Sequence, residues 1–448
     1  MTTIDTTLSG LEVLSPADEG WDAARQAFNL TIDQRPDLIA LARSEADVAA
    51  VVRFASREGL KVAPQTSGHN AGPLGSLDGT VLLKTRGLRG VAIDAQARKA
   101  RVKAGVKWED LVPQASELGL AALHGSSPDV GIVGYSLGGG MGWYARKHGL
   151  QANSVTAIEL VTADGELRRV DADHEPELFW ALRGGGGNFG VVTAIEFDLY
   201  PIEQVYAGTL FFPFERGGEV LHAWREWTAS TPDEITSTAK LLQFPPLEEI
   251  PEIVRGQSFA VVSAAFLGSE ADGVELTRPL RELGPAMDTF AMVPPVALSD
   301  LAMDPPDPVP YVGDSQMVGD LPAEAIDDLL AVAGPGSGSP LVMVELRQAG
   351  GALARAAGHH GALASLAGSF VSMAVGAVLD EASAAAGQAQ LALLHDALAP
   401  HQVGHYLNFT EVAVDPRSAY GADAYARLQA LKGEYDPDGL FRANHRIG

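Results

Sequence analysis

The 448-residue chain contains no cysteine. That absence excludes a disulfide framework, a thiolate metal site and a cysteine nucleophile. Basic residues are scarce, 32 Lys and Arg against 57 Asp and Glu, for a formal charge of −25. A chain that acidic repels phosphate backbones and anionic lipid, so neither nucleic acid nor a membrane surface is an expected partner. Long apolar runs are missing too: the longest, 369–379, falls short of the ~18–20 residues that cross a bilayer. Residues 1–19 show no basic stretch leading into an apolar one, so no export signal is read and a cytoplasmic protein is expected. Glycine is what the chain has in excess, 49 residues with no collagen-like period, and this implies tight backbone loops.

The length suits two domains or one large α/β domain. Ser44 and Asp47 form a capping pattern ahead of Val48, Val51, Val52 and Ala55, and Gly59 stops that helix. A strand at 61–63 runs into a polar, glycine-bearing loop at 64–72. Strands are expected at 80–84, 90–94 and 99–104, and a helix at 108–118. The stretch 126–142 reads as loop chemistry throughout. Asp164-Gly165 marks a hairpin between 157–162 and 166–170. A helix at 175–183, a glycine loop at 184–190 and a strand at 191–199 follow. After Pro201 the glycine clusters thin out. Strands at 204–212 and 259–266 and helices at 218–230 and 323–333 are expected there, with a Pro-rich connector at 294–310. The Ala-rich 352–398 stretch reads as helix-forming or packing sequence. A closing helix at 421–435 is broken by Asp436-Pro437.

Three glycine loops in one unit suit backbone amides that converge on an anion, or a main chain that a flat ligand can approach closely. Tight turns between short strands are the alternative. Gly185, Gly187 and Gly190 match G-x-G-x-x-G, but they follow a helix and precede a strand, the reverse of a dinucleotide fingerprint. Gly140, Gly142 and Ala145 match the looser form with no clear strand before them. Gly134, Ser136 and Gly138 match G-x-S-x-G, yet four of the next six residues are glycine, which opposes the helix a nucleophile elbow needs. His69 stands between Gly68 and Asn70 and should face whatever the first loop encloses. The adjacent pair His359-His360 points its rings apart and forms no metal motif.

From about Trp21 to Ile447 the chain resembles the FAD-linked oxidases of the vanillyl-alcohol oxidase type, in the berberine-bridge-enzyme-like branch. The residues that carry the resemblance are Ser67-Gly68-His69-Asn70-Ala71-Gly72, the run Asp129 to Gly142, Val161 to Gly165, Leu178 to Val192, and Tyr406-Leu407-Asn408 with Lys432, Tyr435-Asp436-Pro437, Leu440-Phe441-Arg442 and Asn444. The resemblance implies an α+β, two-subdomain FAD-binding fold with an inserted α+β substrate domain. Its expected divisions are an FAD-binding domain at 1–200, a substrate domain at 201–405 and a C-terminal segment at 406–448 that returns to the FAD domain. FAD contacts are implied for Pro64, Gln65, Thr66, Ser67, Gly68, His69, Asn70 and Gly72 in the first loop. In the second they are implied for Ser127, Pro128, Val130, Gly131, Gly134, Tyr135, Gly139, Gly140 and Gly142. Gly149, Leu150, Gly190, Val192, Asn408 and Asn444 complete the set.

By the same resemblance, His69 bonds through a ring nitrogen to the flavin 8α-methyl. Doubly linked members carry a Cys where Ser127 stands, so a single link is expected here. Gln65 replaces an arginine often found in the family, and Tyr135 replaces a histidine. The family's usual tyrosine base is Phe409 here. Tyr406, Glu345 and Gln348 are the remaining candidates for proton transfer. On the 342–348 strand, Val342, Val344, Leu346 and Gln348 share one face, and Glu345 and Arg347 the other. Which face meets substrate stays open, and a plain Glu345–Arg347 ion pair is the alternative to a catalytic role. Tyr311 is a candidate substrate wall. The implied reaction takes a hydride from an alcohol or C–H donor, a secondary metabolite or a sugar, and O₂ reoxidises the flavin to give H₂O₂. A small aliphatic residue at Val130 accompanies oxygen use in relatives. A dehydrogenase with another acceptor, a flavin-assisted cyclase, or a flavin-binding protein without turnover are the alternatives. The net charge disfavours a strongly anionic substrate.

Overall fold

The computed structural model describes residues 8, 10–246, 248, 252 and 254–448; the 1–19 stretch read for an export signal falls partly outside them. Three sheets organise the described residues. The first has the order Glu12–Leu14, Leu38–Leu41, Thr80–Lys84, Lys61–Gln65, with its last three strands parallel. Its crossover is the helix Glu45–Glu58. Ser44 caps that helix through a reciprocal box with Asp47, and Gly59 ends it at φ 69°. The helix buries Val48, Val51, Val52 and Ala55, the apolar stripe its spacing announces.

The second sheet is antiparallel, in the order Val91–Asp94, Lys99–Lys103, Val191–Asp198, Val155–Val161, Leu167–Asp171. Asp164 Oδ1 accepts from Glu166 N–H at 3.1 Å inside its hairpin. One apolar core joins both sheets to the closing helix Ala422–Tyr435, which contributes Leu428 and Leu431.

The third sheet has nine strands. Its centre runs Val205–Pro213, Ser258–Phe266, Ile235–Gln243, Leu341–Gln348, Phe370–Ala377, Tyr311–Val318, all antiparallel. Helices Gly217–Thr228, Ala323–Ala333 and Glu381–Leu398 cover one face around Trp224, Leu329 and Leu394. The opposite face looks towards the glycine loops.

Two local expectations change. The 126–142 stretch holds a helix, Ile132–Leu137, in which Ser136 Oγ donates to Ile132 O at 2.8 Å. That hydroxyl is consumed by its own helix. The Ala-rich 352–398 stretch is split by the strand Phe370–Ala377, whose alternating burial comes from sheet pairing rather than helix propensity. Among the described residues, no helix is long and apolar enough to cross a membrane.

Candidate active site

A cavity of about 1420 Å³ opens between the glycine loops and the bare face of the nine-stranded sheet. Its floor comes from 64–71, 125–141 and 184–192, and its roof from Gln243, Met343, Glu345, Arg347, Met373 and Val375. The Pro-rich connector forms a side wall through Met303, Asp304 and Tyr311, and the C-terminal segment adds Asn408, Phe409, Glu411 and Asn444. Met141 and Met287 also face it.

His69 lies in the floor, stacked on Phe28 with ring centroids 3.9 Å apart and planes 16° from parallel. Its Nδ1 is 2.9 Å from Ser67 Oγ. Its Nε2 is 3.2 Å from Asp129 Oδ2, off the line of a good hydrogen bond and without another partner. The loop is pinned from the other side. Asn70 Nδ2 donates to the carbonyls of Leu407 at 3.0 Å and Thr410 at 3.1 Å, and Asn444 Nδ2 donates to Asn70 O.

The backbone fits a flat, phosphate-bearing cofactor. A Cβ built on Gly134 or Gly187 would meet nothing within 4 Å, and both glycines border the cavity. That leaves room for a ligand against the main chain itself. Of the residues with implied FAD contacts, Pro64, Gln65, Thr66, Ser67, Gly68, His69 and Asn70 line the cavity. So do Ser127, Val130, Gly131, Gly134, Tyr135, Gly190, Val192, Asn408 and Asn444.

The others do not border it, and packing accounts for their types. A Cβ on Gly72 would stand 2.2 Å from Glu411 O, and one on Gly142 1.8 Å from His124 O. Gly139 and Gly140 have φ of 112° and 80° and press on Leu363 and Tyr135. Pro128 O accepts from Glu109 N–H, Gly149 ends a one-turn helix at φ 80°, and Leu150 packs with Met141 and Tyr406. Tyr135 donates its hydroxyl to Leu123 O at 3.1 Å, so it gives no proton to the cavity.

The three proton-transfer candidates separate. Glu345 borders the cavity, but both its oxygens are taken: Lys240 Nζ lies 2.9 Å from Oε2 and Arg347 Nε 2.7 Å from Oε1. Burial works to raise its carboxyl, and the two cations outweigh this and hold it well below the usual range. The triad places one net positive charge in the roof, with Arg347 5.2 Å from the Phe409 ring centre. Gln348 points the other way, to Ser237, Thr231 and the helix layer. A bulge between Leu341 and Met343 puts Val342 on the cavity as well. Tyr406 is buried, accepts from Asn408 Nδ2 at 3.2 Å, and burial pushes it up to about 12.

Glu411 is the residue that motif reading passed over. It borders the cavity beside Tyr311, whose hydroxyl donates to its Oε1 at 3.0 Å, while Oε2 is buried without a partner. Burial pushes its carboxyl up to about 7, with Asp314 adding to the effect against the Tyr311 bond. The signal was an acid two residues beyond Phe409. Asp304, bonded by Ser127 Oγ, was likewise hidden in the Pro-rich connector. Among the described residues there is no cluster suited to a metal ion.

Comparison with known proteins agrees with this geometry. The FAD binding domain family matches residues 36–171, and the berberine and berberine-like family matches residues 405–448. (R)-6-hydroxynicotine oxidase of Paenarthrobacter nicotinovorans is 30% identical, over 97% of this chain and 96% of its own. The crystal structure of 6-hydroxy-D-nicotine oxidase from Arthrobacter nicotinovorans superposes with a TM-score of 0.84 at 27% identity, covering 98% of both chains. Glucooligosaccharide oxidase from Acremonium strictum, studied for its 6-S-cysteinyl, 8α-N1-histidyl FAD, shares the fold at a TM-score of 0.82 and 22% identity, over 98% of this chain and 97% of its own. With its glycine loops and C-terminal segment assembled around one cavity, this chain belongs to the FAD-linked oxidases of the vanillyl-alcohol oxidase type, in their berberine-bridge-enzyme-like branch, and is an FAD-dependent oxidase.

Proposed function

We propose that the protein oxidises an alcohol or an activated C–H group of a small molecule, with FAD held by one covalent bond to His69. The observation that carries this reading is His69 itself, fixed by Phe28 and Ser67 in the cavity floor. Bound FAD would supply the hydride acceptor, with O₂ as the terminal oxidant and H₂O₂ as its product. Ser127 stands where a cysteinyl link would form, and its hydroxyl bonds Asp304 instead. The loops of 1–200 with 406–448 hold the cofactor in this reading, and 201–405 covers the substrate.

Phe409 has no proton to exchange, and Glu345 is neutralised by two cations. Glu411 is the group we assign to take the substrate's proton: it borders the cavity, one oxygen is unpartnered, and Tyr311 orients the other. The Lys240–Glu345–Arg347 triad offers a fixed positive end for the electron-rich part of the substrate or cofactor. The test is acid precipitation of purified protein. A yellow pellet that turns colourless in His69→Ala supports the linkage, and a colourless wild-type pellet refutes it. Peroxide release with a panel of alcohols, sugars and hydroxylated heterocycles tests the acceptor. Substrate bleaching of the flavin without peroxide would mark a dehydrogenase.

A further inference from the structure

Asp129 is buried at 5% exposure, immediately after the Pro128 that packs against the start of the 108–117 helix. Among the described residues no hydrogen bond uses its carboxylate, and the cation-capable group beside it is His69. A buried carboxylate kept without a partner is costly, so its position calls for a reason.

The hydrogen bonds around His69 supply one. Ser67 Oγ accepts from Gly131 N–H at 3.3 Å. The hydroxyl's own proton is then free to point at His69 Nδ1, 2.9 Å away. That arrangement accommodates the tautomer with a lone pair on Nδ1 and the proton on Nε2, which a carboxylate near Nε2 favours. Nε2 is the atom that faces Asp129, at 3.2 Å. A half-turn of the ring would keep the Phe28 stack but lose both the Ser67 and the Asp129 contacts, so these two polar neighbours set which nitrogen faces which way. A carboxylate beside Nε2–H raises the electron density of the ring and offsets the positive charge that grows when Nδ1 forms a fourth bond.

We propose that Asp129 is the positioning residue for covalent attachment of the flavin, holding His69 with its Nδ1 lone pair presented and accepting charge from Nε2 as the bond forms. The inference rests on His69 being the attachment point. In the overall step the N–C bond from Nδ1 to the 8α carbon forms, one C–H of the 8α-methyl breaks, and the imidazole N–H proton leaves by way of Asp129. Two electrons and two protons go to O₂, which becomes H₂O₂. The hydrogens balance: one from imidazole and three from methyl end as two on the bridging carbon and two in peroxide.

The experiment follows attachment, not turnover. Apoprotein made under flavin limitation is mixed with FAD in air, samples are acid-precipitated at intervals, and flavin fluorescence is read in pellet and supernatant. Asp129→Asn and Asp129→Ser are compared with wild type and His69→Ala. The expected result is covalent incorporation at least about tenfold slower in both Asp129 variants, with unlinked FAD still co-purifying before precipitation as proof of a folded site. Incorporation at the wild-type rate in either folded variant overturns the role of Asp129. Incorporation into His69→Ala overturns the attachment reading itself, whatever the Asp129 variants do.

Discussion

Lys84 Nζ donates to Gln65 Oε1 at the mouth of the first glycine loop. The same ammonium donates to Gln26 O at 3.1 Å. The strand Thr80–Lys84 runs parallel to Lys61–Gln65 with Lys84 opposite Gln65, which places a cation behind the side chain that borders the cavity. Burial, with Arg86 adding to it, brings this lysine down to about 8. Lys84→Met should therefore weaken unlinked FAD binding by roughly tenfold, through loss of the charge-assisted contact that holds Gln65 in the cavity floor. Flavin fluorescence titration of a Lys84→Met, His69→Ala protein against His69→Ala alone measures it.

Glu411 sets the next expectation. As the proposed base it must be unprotonated to act, and burial has raised its carboxyl to about 7. The rate of flavin reduction by a turned-over substrate should rise with pH through about 7 and level off above it. Glu411→Gln should lower that rate roughly a hundredfold and remove the inflection. Anaerobic stopped-flow bleaching reads both. Tyr311→Phe should keep the inflection and move it, since it removes the donor to Oε1.

The same carboxyl links stability to pH. Its folded value lies above the ordinary 4.5, so protonation is favoured in the native state. The stability it contributes is complete below about 4.5 and is lost as pH rises through about 7, by ~3 kcal/mol at most. Glu411→Gln should match wild type near pH 4.5 and exceed it in denaturant midpoint near pH 8.

The buried triad behaves differently. Glu345→Gln leaves Lys240 and Arg347 facing each other, with Lys240 and Glu345 only 1% and 2% exposed at the side chain. Destabilisation of about 3–5 kcal/mol is expected. Lys240→Met, Glu345→Leu and Arg347→Met together remove all three buried charges and should cost far less. Urea midpoints of the two proteins decide it.

Gly134 separates folding from binding. It sits inside the helix Ile132–Leu137 and its Cβ position is empty space on the cavity. Gly134→Ala should raise helix stability by ~0.5–1 kcal/mol and yet reduce FAD binding. A raised melting temperature with lower bound flavin is the expected pairing.

Much of this arrangement was legible where one local rule governs. Ser44 with Asp47, Asp164-Gly165 and Asp436 beyond the last helix each mark an element boundary through a side chain bonded to nearby backbone. The site was legible as three glycine loops around His69. Pairing across the sheet was not. Nothing local tells Glu345 that Lys240 lies opposite it on a strand over a hundred residues away, and so the apparent choice between base and ion pair waited on the fold. Glycine type was equally ambiguous: Gly134 clears space for a ligand and Gly142 clears space for His124, and both read alike in one dimension.

Five of the eight methionines, Met141, Met287, Met303, Met343 and Met373, border the cavity of a protein that has no thiol at all. An oxidant released there meets thioethers before anything else it can attack, and each sulfoxide would swell a soft wall into a polar one. Under the proposed reaction, the working life of the enzyme would depend on how quickly peroxide escapes, and wear should begin at these cavity methionines.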